Sequence, residues 1–494
     1  MGDFSESSFI KKYNYIATIL KSHNFILTDY QKVGIRWMFD RETLHNSGGI
    51  LADDPGLGKT LQLISLMYVS KKSPTLIIVP KSILNQWISN ISLIFERKKI
   101  YVHYGDEKKH DSDFLEEDFD ICITTYYNIL GKNSDIDSNI LCNQNIEWKR
   151  IIIDEGHILR NKKTQIYTGF KNLCSENTAV WIVTGTPIQN KDSDMINLLN
   201  LITDEVTPQN FSNLVDNFVL RRSKQILIEN NELEEYTIEN CIIPFQSDSE
   251  QKIYELISQN LVEDLLKNKK KANSSNFDLN ILDLLSKMRQ AVIHPSIALE
   301  SIQKKEKKPV FFEIEYSKNT ISTKINALVC KISSHNENSL VFCHFYQEME
   351  LISNFLKLKG IDSSIFKGDL SLHERAQILN QYTTTSAKNR VLIIQIKAGG
   401  VGLNLQQFSK VYLMSPDWNP ANEIQAIARS HRKGQIKKVQ ITKFTVCYNK
   451  LFNDDYDKKL TIDEIILDKQ KQKREIMVEI LKDDSLSFKE RCIE

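Results

Sequence analysis

The stretch Gly49-Ile-Leu-Ala-Asp-Asp-Pro-Gly-Leu-Gly-Lys-Thr60 holds the residue types that grip a phosphate. Successive backbone amides can point at phosphate oxygens only where side chains are small, and Gly56 and Gly58 meet that need. Lys59 can reach the outer phosphates and the Thr60 hydroxyl can meet Mg2+. The apolar LQLISLMYV that follows predicts a helix whose N-terminus favours anions. The strict G-x-x-x-x-G-K-[ST] pattern is not met, because Asp53 stands at the first glycine. Further along, Arg150–Asp154 (RIIID) reads as a buried strand running into Asp154-Glu155-Gly156-His157. Phosphoryl transfer needs one acid to hold the metal and a second polar group to orient the attacking water, and adjacent acids at a strand end can do both. A third block, Gln425-Ala-Ile-Ala-Arg429-Ser-His-Arg432-Lys-Gly-Gln435, spaces two arginines for one helix face. Guanidinium groups there could meet the charge that develops on a transferred phosphoryl group. Each block alone has a plain alternative: a chance turn, a solvated strand end, an arginine pair on a solvated helix. His157 alone reads as a hydrogen-bonded structural histidine.

Elements must hold these blocks in place. Short, continuously apolar runs recur at Thr75–Val79, Ile121–Thr125, Arg150–Asp154 and Ala179–Gly185. After a gap they resume at Ser339–Phe345, Arg390–Ile396, Lys410–Met414 and Lys438–Phe444. Continuous rather than alternating apolar character predicts strands buried on both faces, and their alternation with amphipathic stretches predicts parallel α/β sheets. The two groups of runs predict two lobes. From about Pro244 to Pro309 the pattern turns helical and charged, ending in the linker-like SIQKKEKKP. Apolar residues at helical spacing from Ile462 to Leu481 predict a final amphipathic helix. Glycine is scarce, 17 residues, and ten sit in the chemically suggestive blocks, so the search for a site belongs there.

Composition bounds the class. The chain has 494 residues, 41% of them hydrophobic and 26% charged, which excludes bulk disorder. With 64 basic and 63 acidic residues the net charge is +1, so any nucleic-acid surface must be local. Eight cysteines without a C-x-x-C pair exclude zinc ribbons, fingers and RING modules, so no zinc is expected. The N-terminus lacks a secretory pattern, and no apolar run is long enough to span a bilayer. The expectation is a soluble intracellular protein with reduced thiols and no membrane association.

In this order the blocks resemble the motifs of superfamily-two helicases, and specifically the SWI/SNF-type ATP-dependent DNA translocases. The carrying segments are LTDYQKVGIRWM, ILADDPGLGKT, LIIVPKSILNQW, ICITTYYNI, IIIDEGHILRN, WIVTGTPIQN, FVLRR and MRQAVIHP in the first part. STKINAL, LVFCHFYQEMELI, KAGGVGLNL, SPDWNPANEIQAIARSHRKGQ and TIDEIILDKQKQKRE follow. DDPGLGKT, DEGH and Pro416–Pro420 lean towards the helicase-like transcription factor subgroup; no RING module interrupts the region between His294 and Ser322, so ubiquitin-ligase activity is not expected.

The resemblance implies two RecA-like parallel-sheet lobes with helical insertions and a C-terminal bracing helix. The expected division is an N-terminal helical segment over 1–26, ATP-binding lobe 1 over 27–225, and a helical protrusion and linker over 226–320. Lobe 2 follows over 321–450, then the bracing helix and tail over 451–494. ATP and Mg2+ are the implied substrate and cofactor. Tyr30 and Gln31 would meet the adenine, and Asp54, Pro55, Gly56, Leu57, Gly58, Lys59 and Thr60 the phosphates. Thr60 and Asp154 would hold Mg2+, Asp154 through water, and Glu155 would polarise the attacking water. Gln425, Arg429 and Arg432, with Gly400, Gly402 and Asn404 nearby, would complete the site from lobe 2. Thr184, Gly185 and Thr186 would link nucleotide to DNA, and Trp418 would pack near the cleft between the lobes. Pro55 stands where the family usually has Met, and Ala428 where an acid is common.

The implied partner is duplex DNA, gripped through its phosphates by main-chain amides and hydroxyls at Lys81, Ser82, Thr124, Thr125, Thr184, Lys397 and Gly399. The lysine runs Lys267–Lys271 and Lys304–Lys308 read either as added grip or as solvated faces. Nucleosomes or other DNA-bound proteins are the implied loads, the nucleus the implied compartment, and the motor a monomer or one subunit of a larger complex. No strand-separating insertion is evident, so movement without sustained unwinding is expected. Two alternatives stand beside this: an RNA-directed helicase of the same superfamily, and a non-hydrolysing, ATP-sensitive DNA clamp.

Overall fold

The structure is a computed structural model; it describes residues 2–44, 47–105, 118–130, 140–142, 146–203, 206–269, 274–305, 316–382, 389–399, 403–449 and 459–481. Two compact units divide it, with Ile226 the last residue of the first and Leu227 opening the second; the end of the chain's final described helix, from Glu475, returns to the first unit.

The first unit is built on seven strands: β1 (Gly48–Leu51), β2 (Thr75–Val79), β3 (Ile100–His103), β4 (Ile121–Thr125), β5 (Arg150–Asp154), β6 (Ala179–Val183) and β7 (Val219–Leu220). They form one sheet in the order β3-β4-β2-β5-β6-β1-β7, and every pairing is parallel. The aliphatic runs of β2, β4, β5 and β6 are buried at every residue, as strands covered on both faces must be. Because all strands point the same way, the loops after β1, β2, β4, β5, β6 and β7 leave from one edge, where open α/β sheets bind ligands. Helices α1 (Gly2–Ser22), α2 (Asp29–Arg41) and α3 (Lys59–Ser70) belong to this unit. α1 buries Phe9, Tyr13, Ile16 and Leu20.

A polar hub ties these elements together beneath the sheet edge. Glu42, capping the C-terminus of α2, accepts hydrogen bonds from Arg150 of β5 at 2.6 and 2.7 Å, from Trp181 Nε1 of β6 at 2.9 Å, and from Ser70 Oγ of α3. Both partners of the ion pair are fully buried. Burial alone would raise the Glu42 carboxyl; the Arg150 charge and the hydrogen bonds outweigh it and hold the group below its ordinary range.

The second unit has six strands: β8 (Thr237–Pro244), β9 (Ser339–Cys343), β10 (Ser363–Phe366), β11 (Val391–Gln395), β12 (Lys410–Leu413) and β13 (Gln440–Cys447). Their order is β10-β11-β9-β12-β13-β8, again with parallel pairings throughout. Successive residues of β9 feed different cores: Val341 and Cys343 pack with Tyr254, Ile325 and Ile352, whereas Leu340 and Phe342 pack with Phe366, Phe408 and Ile427. The stretch 226–320, read as helical, contains β8; its mixed TIENCIIP pattern is half-exposed at a sheet edge and so lacks the continuous apolar signature of the inner strands. It also holds the helices Asp248–Lys269, Ser274–Ile293 and Pro295–Lys305. A fully buried pair, Lys324 and Asp463 at 2.5 Å, pins the start of the closing helix (Ile462–Leu481) to the second unit, and Lys324 also donates to Ser415 at 2.9 Å. Met477, near the end of that helix, lies in the core of the first unit with Ile153, Leu198 and Phe218. Among the described residues no helix is long and apolar enough to cross a membrane.

Candidate functional site

In the first unit the expected phosphate loop joins β1 to α3. Gly56 and Gly58 both adopt positive φ, 100° and 77°, and Gly58 caps the N-terminus of α3. A side chain at Gly58 would also collide with Gln31 Nε2, so both conformation and space demand glycine. Thr60 is the second residue of α3. Above the loop, Tyr30 Oη and Gln31 Nε2 donate to the Leu57 carbonyl at 3.3 and 3.1 Å, while Gln31 Oε1 accepts the Thr28 amide at 3.0 Å in the capping box of α2. Pro55 lies over Gly185, where a Cβ would stand 2.8 Å from the proline ring. The loop after β6 therefore needs a glycine under this proline.

Lys59 Nζ donates to the carbonyls of Asp53 and Asp54 at 2.7 and 3.3 Å. Burial lowers its ammonium, opposed by the carboxylates of Glu155, Asp53, Asp154 and Asp54. At the end of β5, Asp154 Oδ2 accepts Trp87 Nε1 at 2.8 Å and Oδ1 accepts the Glu155 amide at 2.9 Å. Tyr126 Oη donates to the Asp154 carbonyl. Burial first, and the neighbouring Glu155 second, push the Asp154 carboxyl up to about 6. Glu155 itself sits in the left-handed region, φ 50°, a strained setting for a glutamate that throws its side chain off the strand line. Its Oε2 lies 3.3 Å from His157 Nδ1, which lies 3.2 Å from Thr184 Oγ1; that oxygen in turn accepts the Thr186 amide at 3.1 Å. His157, read as structural from sequence, thus bridges the second acid and the loop after β6.

The fit to a divalent cation rests on this charge balance. Two adjacent acids share one lysine whose ammonium is itself depressed by burial, and one acid holds its proton to about 6; a cation beside Thr60 and Asp154 would relieve that crowding.

Sequence reasoning missed the residues that hold the loop from behind. Arg222, just beyond β7, grips the buried Asp53 with both Nε, at 2.9 Å, and Nη2, and reaches Gln62 at 2.7 Å and the Tyr30 carbonyl. Arg221 pairs with Asp54 at 2.9 Å and with the Ala52 carbonyl at 2.9 Å. The FVLRR segment was visible, but no spacing rule links it to a loop so distant in sequence. Asp54, expected among the phosphate ligands, spends its carboxylate on Arg221 and on the Lys224 amide. Its carboxylate thereby supports the loop.

Several expected DNA contacts separate. Lys81 and Ser82 are exposed after β2, with the Lys81 ammonium 5.8 Å from the Tyr104 ring centre. Thr124 is buried, its hydroxyl donating to the His103 carbonyl at 2.9 Å and accepting from Asn128, so it has no free hydroxyl for a phosphate. Thr125 is 3% exposed and Thr184 fully buried, so neither presents a side chain to a ligand. The sheet is covered on both faces, so the neighbouring Thr124 and Thr125 are buried whichever way they point, which their residue type does not reveal. Tyr127, unremarked in the sequence, is 78% exposed at the same sheet edge.

In the second unit Gln425 and Arg429 lie on the helix Pro420–Ser430, started by Asn419, whose side chain accepts the Ala421 amide at 3.1 Å. The helix ends at Ser430 with His431 as its cap, so Arg432 stands in the following turn; the shared helix face expected for the two arginines does not form. His431 Nε2 lies 2.8 Å from the Glu234 carbonyl and its ring packs edge-on against Tyr236, which anchors the turn. Burial lowers the Arg432 guanidinium. Gln435 donates to the Gln406 carbonyl at 2.7 Å, tying the turn to the loop after Asn404. The PDWNP stretch is held in place by hydrogen bonds: the buried Asp417 accepts the Asn419 amide at 2.8 Å, and the buried Gln470 and half-buried Lys473 of the closing helix donate to the Asp417 and Trp418 carbonyls at 2.6 and 2.8 Å. Trp418 packs at the edge of this unit's own core. Lys397 is exposed on the short helix Ile396–Gly399, which ends at Gly399. Gly400 and Gly402 lie outside the described residues, as do the side chains of Lys267–Lys271 and Lys304–Lys308.

Two parallel-sheet units, the first with a glycine-rich loop leading into a helix near an adjacent acid pair, fit a helicase-type nucleotide hydrolase. Residues 30–211 match the SNF2-related domain and residues 323–434 the helicase conserved C-terminal domain. The chain belongs to the SWI/SNF-type ATPases of helicase superfamily two, and is by class a DNA-dependent ATPase. It is similar to a "Probable global transactivator" of Orgyia pseudotsugata multicapsid polyhedrosis virus, 27% identical, with 90% of this chain and 92% of that one covered. It is also similar to chromatin remodeling factor mit1 of Schizosaccharomyces pombe, 28% identical over 90% of this chain and 33% of that one. ISWI chromatin-remodeling complex ATPase ISW1 of Saccharomyces cerevisiae is 26% identical over 94% and 41%. The chain thus spans nearly all of the viral relative and well under half of the two yeast proteins. A solved Sulfolobus solfataricus SWI2/SNF2 ATPase core in complex with dsDNA aligns with 93% of this chain and 96% of that one at 25% identity and a TM-score of 0.40.

Proposed function

We propose that this chain is an ATP-driven motor that moves along duplex DNA without sustained strand separation. The observation that carries the reading is the Asp154–Glu155 pair beside the Lys59 ammonium at the C-terminal sheet edge. The loop amides from Gly56 to Thr60, with Lys59, bind and orient the phosphates. Gln31 and Tyr30, fixed to the Leu57 carbonyl, set the height of the loop beneath the adenine. Thr60 and Asp154 would hold Mg2+, which would supply neutralisation of phosphate charge. Glu155, oriented by His157, takes the proton of the attacking water. Gln425, Arg429 and Arg432, with Gly400 and Gly402, complete the site from the second unit, where the guanidinium groups meet charge developing on the transferred phosphoryl.

Lys81, Ser82, Lys397 and the backbone at Gly399 track DNA phosphates, joined by the exposed Tyr127. The alternating grip of two lobes converts hydrolysis into steps. The names of the yeast relatives support chromatin as the load and the nucleus as the setting; the viral relative shows that a chain of nearly this extent occurs without the remodellers' additional length. The test is steady-state ATP hydrolysis with duplex DNA, single-stranded DNA or RNA in parallel. Duplex should stimulate most, by about tenfold or more over the basal rate. Preferential stimulation by RNA would replace this reading with an RNA-directed one.

A further inference from the structure

The chain leaves the first unit through Arg221–Ile226, and that exit is fastened to the phosphate loop along its length. The Ala52 amide donates to the Leu220 carbonyl at 2.8 Å and the Asp54 amide to the Arg222 carbonyl at 2.9 Å, so loop and exit run as a short ladder. Side chains reinforce it. Arg221 reaches both the Ala52 carbonyl and the Asp54 carboxylate at 2.9 Å, and the other Asp54 oxygen accepts the Lys224 amide at 3.0 Å. Arg222 clasps the fully buried Asp53. The carbonyls of these two aspartates are the ones that Lys59 Nζ meets.

Loop support alone would need only one such clasp. Here two consecutive aspartates are each taken by one of two consecutive arginines, and the second is also tied to a main-chain amide two residues short of the unit boundary. The Arg221–Asp54 pair is largely shielded from water, its guanidinium 6% exposed and its carboxylate 19%, so screening there is weak.

We propose that the Arg221–Asp54–Lys224 clasp is a positioning device that couples the connector between the units to the phosphate loop, so that movement of the second unit is felt at Lys59. Arg221 is thereby a positioning residue for the ATPase reaction, acting through Asp54 on the carbonyls that hold the lysine. The proposal rests on the ATP-site reading above.

Hydrogen–deuterium exchange of the intact chain, with and without a non-hydrolysable ATP analogue and Mg2+, tests it. Peptides covering 52–60 and 219–226 should both gain protection in the wild type. In Arg221→Gln the loop peptide should still gain protection while the connector peptide should not. The turnover number should fall while KM for ATP stays within about threefold, a split that mere collapse of the loop would not produce. Arg221→Lys keeps the charge and the fold, and should lose part of the connector response. Wild-type protection of the loop without the connector overturns the coupling and leaves the ATP reading standing. Protection of neither peptide overturns both. A connector response as large as wild type in Arg221→Gln, or in Arg221→Lys where the glutamine variant does not fold, overturns the coupling.

Discussion

At the scale of single residues, the acid pair after β5 concentrates what the chain sacrifices for activity. The folded chain holds a proton on Asp154 up to about pH 6, whereas an unfolded chain releases it near 3.8. Between those pH values the native state binds more protons than the unfolded state, so this group's contribution makes stability fall as pH rises, by about 3 kcal/mol at most. Above pH 6 the penalty is fully present. Glu155 is the second cause of the shift, so Glu155→Gln should relieve part of it. The variant should lose at least about a hundredfold in turnover. It should also melt above wild type at pH 7, by roughly 1 kcal/mol in unfolding free energy, and still bind ATP. Calorimetry at pH 5 and 7 beside a hydrolysis assay checks this; full turnover in the variant would remove Glu155 from its role. The loop and the acids were legible from residue type, since glycine, lysine and paired acids are few and chemically specific. The supporting partners Arg221, Arg222 and Trp87 were not, because their meaning lies in contacts made across sequence distance.

At the scale of elements, the register of the first sheet depends on a polar hub inside it. Glu42 joins α2, which carries Tyr30 and Gln31, to β5, which carries Asp154, and to β6, which leads to Thr184. Glu42→Gln would leave the fully buried Arg150 charge without its counter-ion, and a broken buried pair of this kind destabilises by about 3–5 kcal/mol. Urea unfolding should show that loss. The Glu42 carboxyl is held low, so the pair's stabilisation is present at neutral pH and is lost only as pH falls through the depressed folded value. A loss under about 1 kcal/mol would mean that the hub does not organise the sheet. The inner strands other than β1 were readable as continuous aliphatic runs; β1 is only four residues long and opens on Gly48 and Gly49, so it gave no such run. β8 and β10 were not, because edge strands expose part of their surface and carry mixed residues such as Thr237, Glu239 and Ser363. The arginine helix was placed correctly but overextended: the spacing of Arg429 and Arg432 suited one face, and the His431 cap with its bond to Glu234 stopped the helix between them.

At the scale of the whole molecule, the two sheets repeat one architecture. Both are fully parallel and both bury aliphatic strands on two faces. The class was legible because the motif order survives in sequence, while the load on the DNA was not, since a load is defined by surfaces that no motif describes. The central claim, movement along intact duplex, is tested most directly by triplex displacement: a third strand bound in the major groove of a linear duplex is released only if something travels through it. Wild-type chain with ATP should displace the third strand and leave the underlying duplex paired, and Lys59→Ala should displace none. Absence of ATP-dependent displacement by a preparation that hydrolyses ATP in the presence of that duplex would contradict the account.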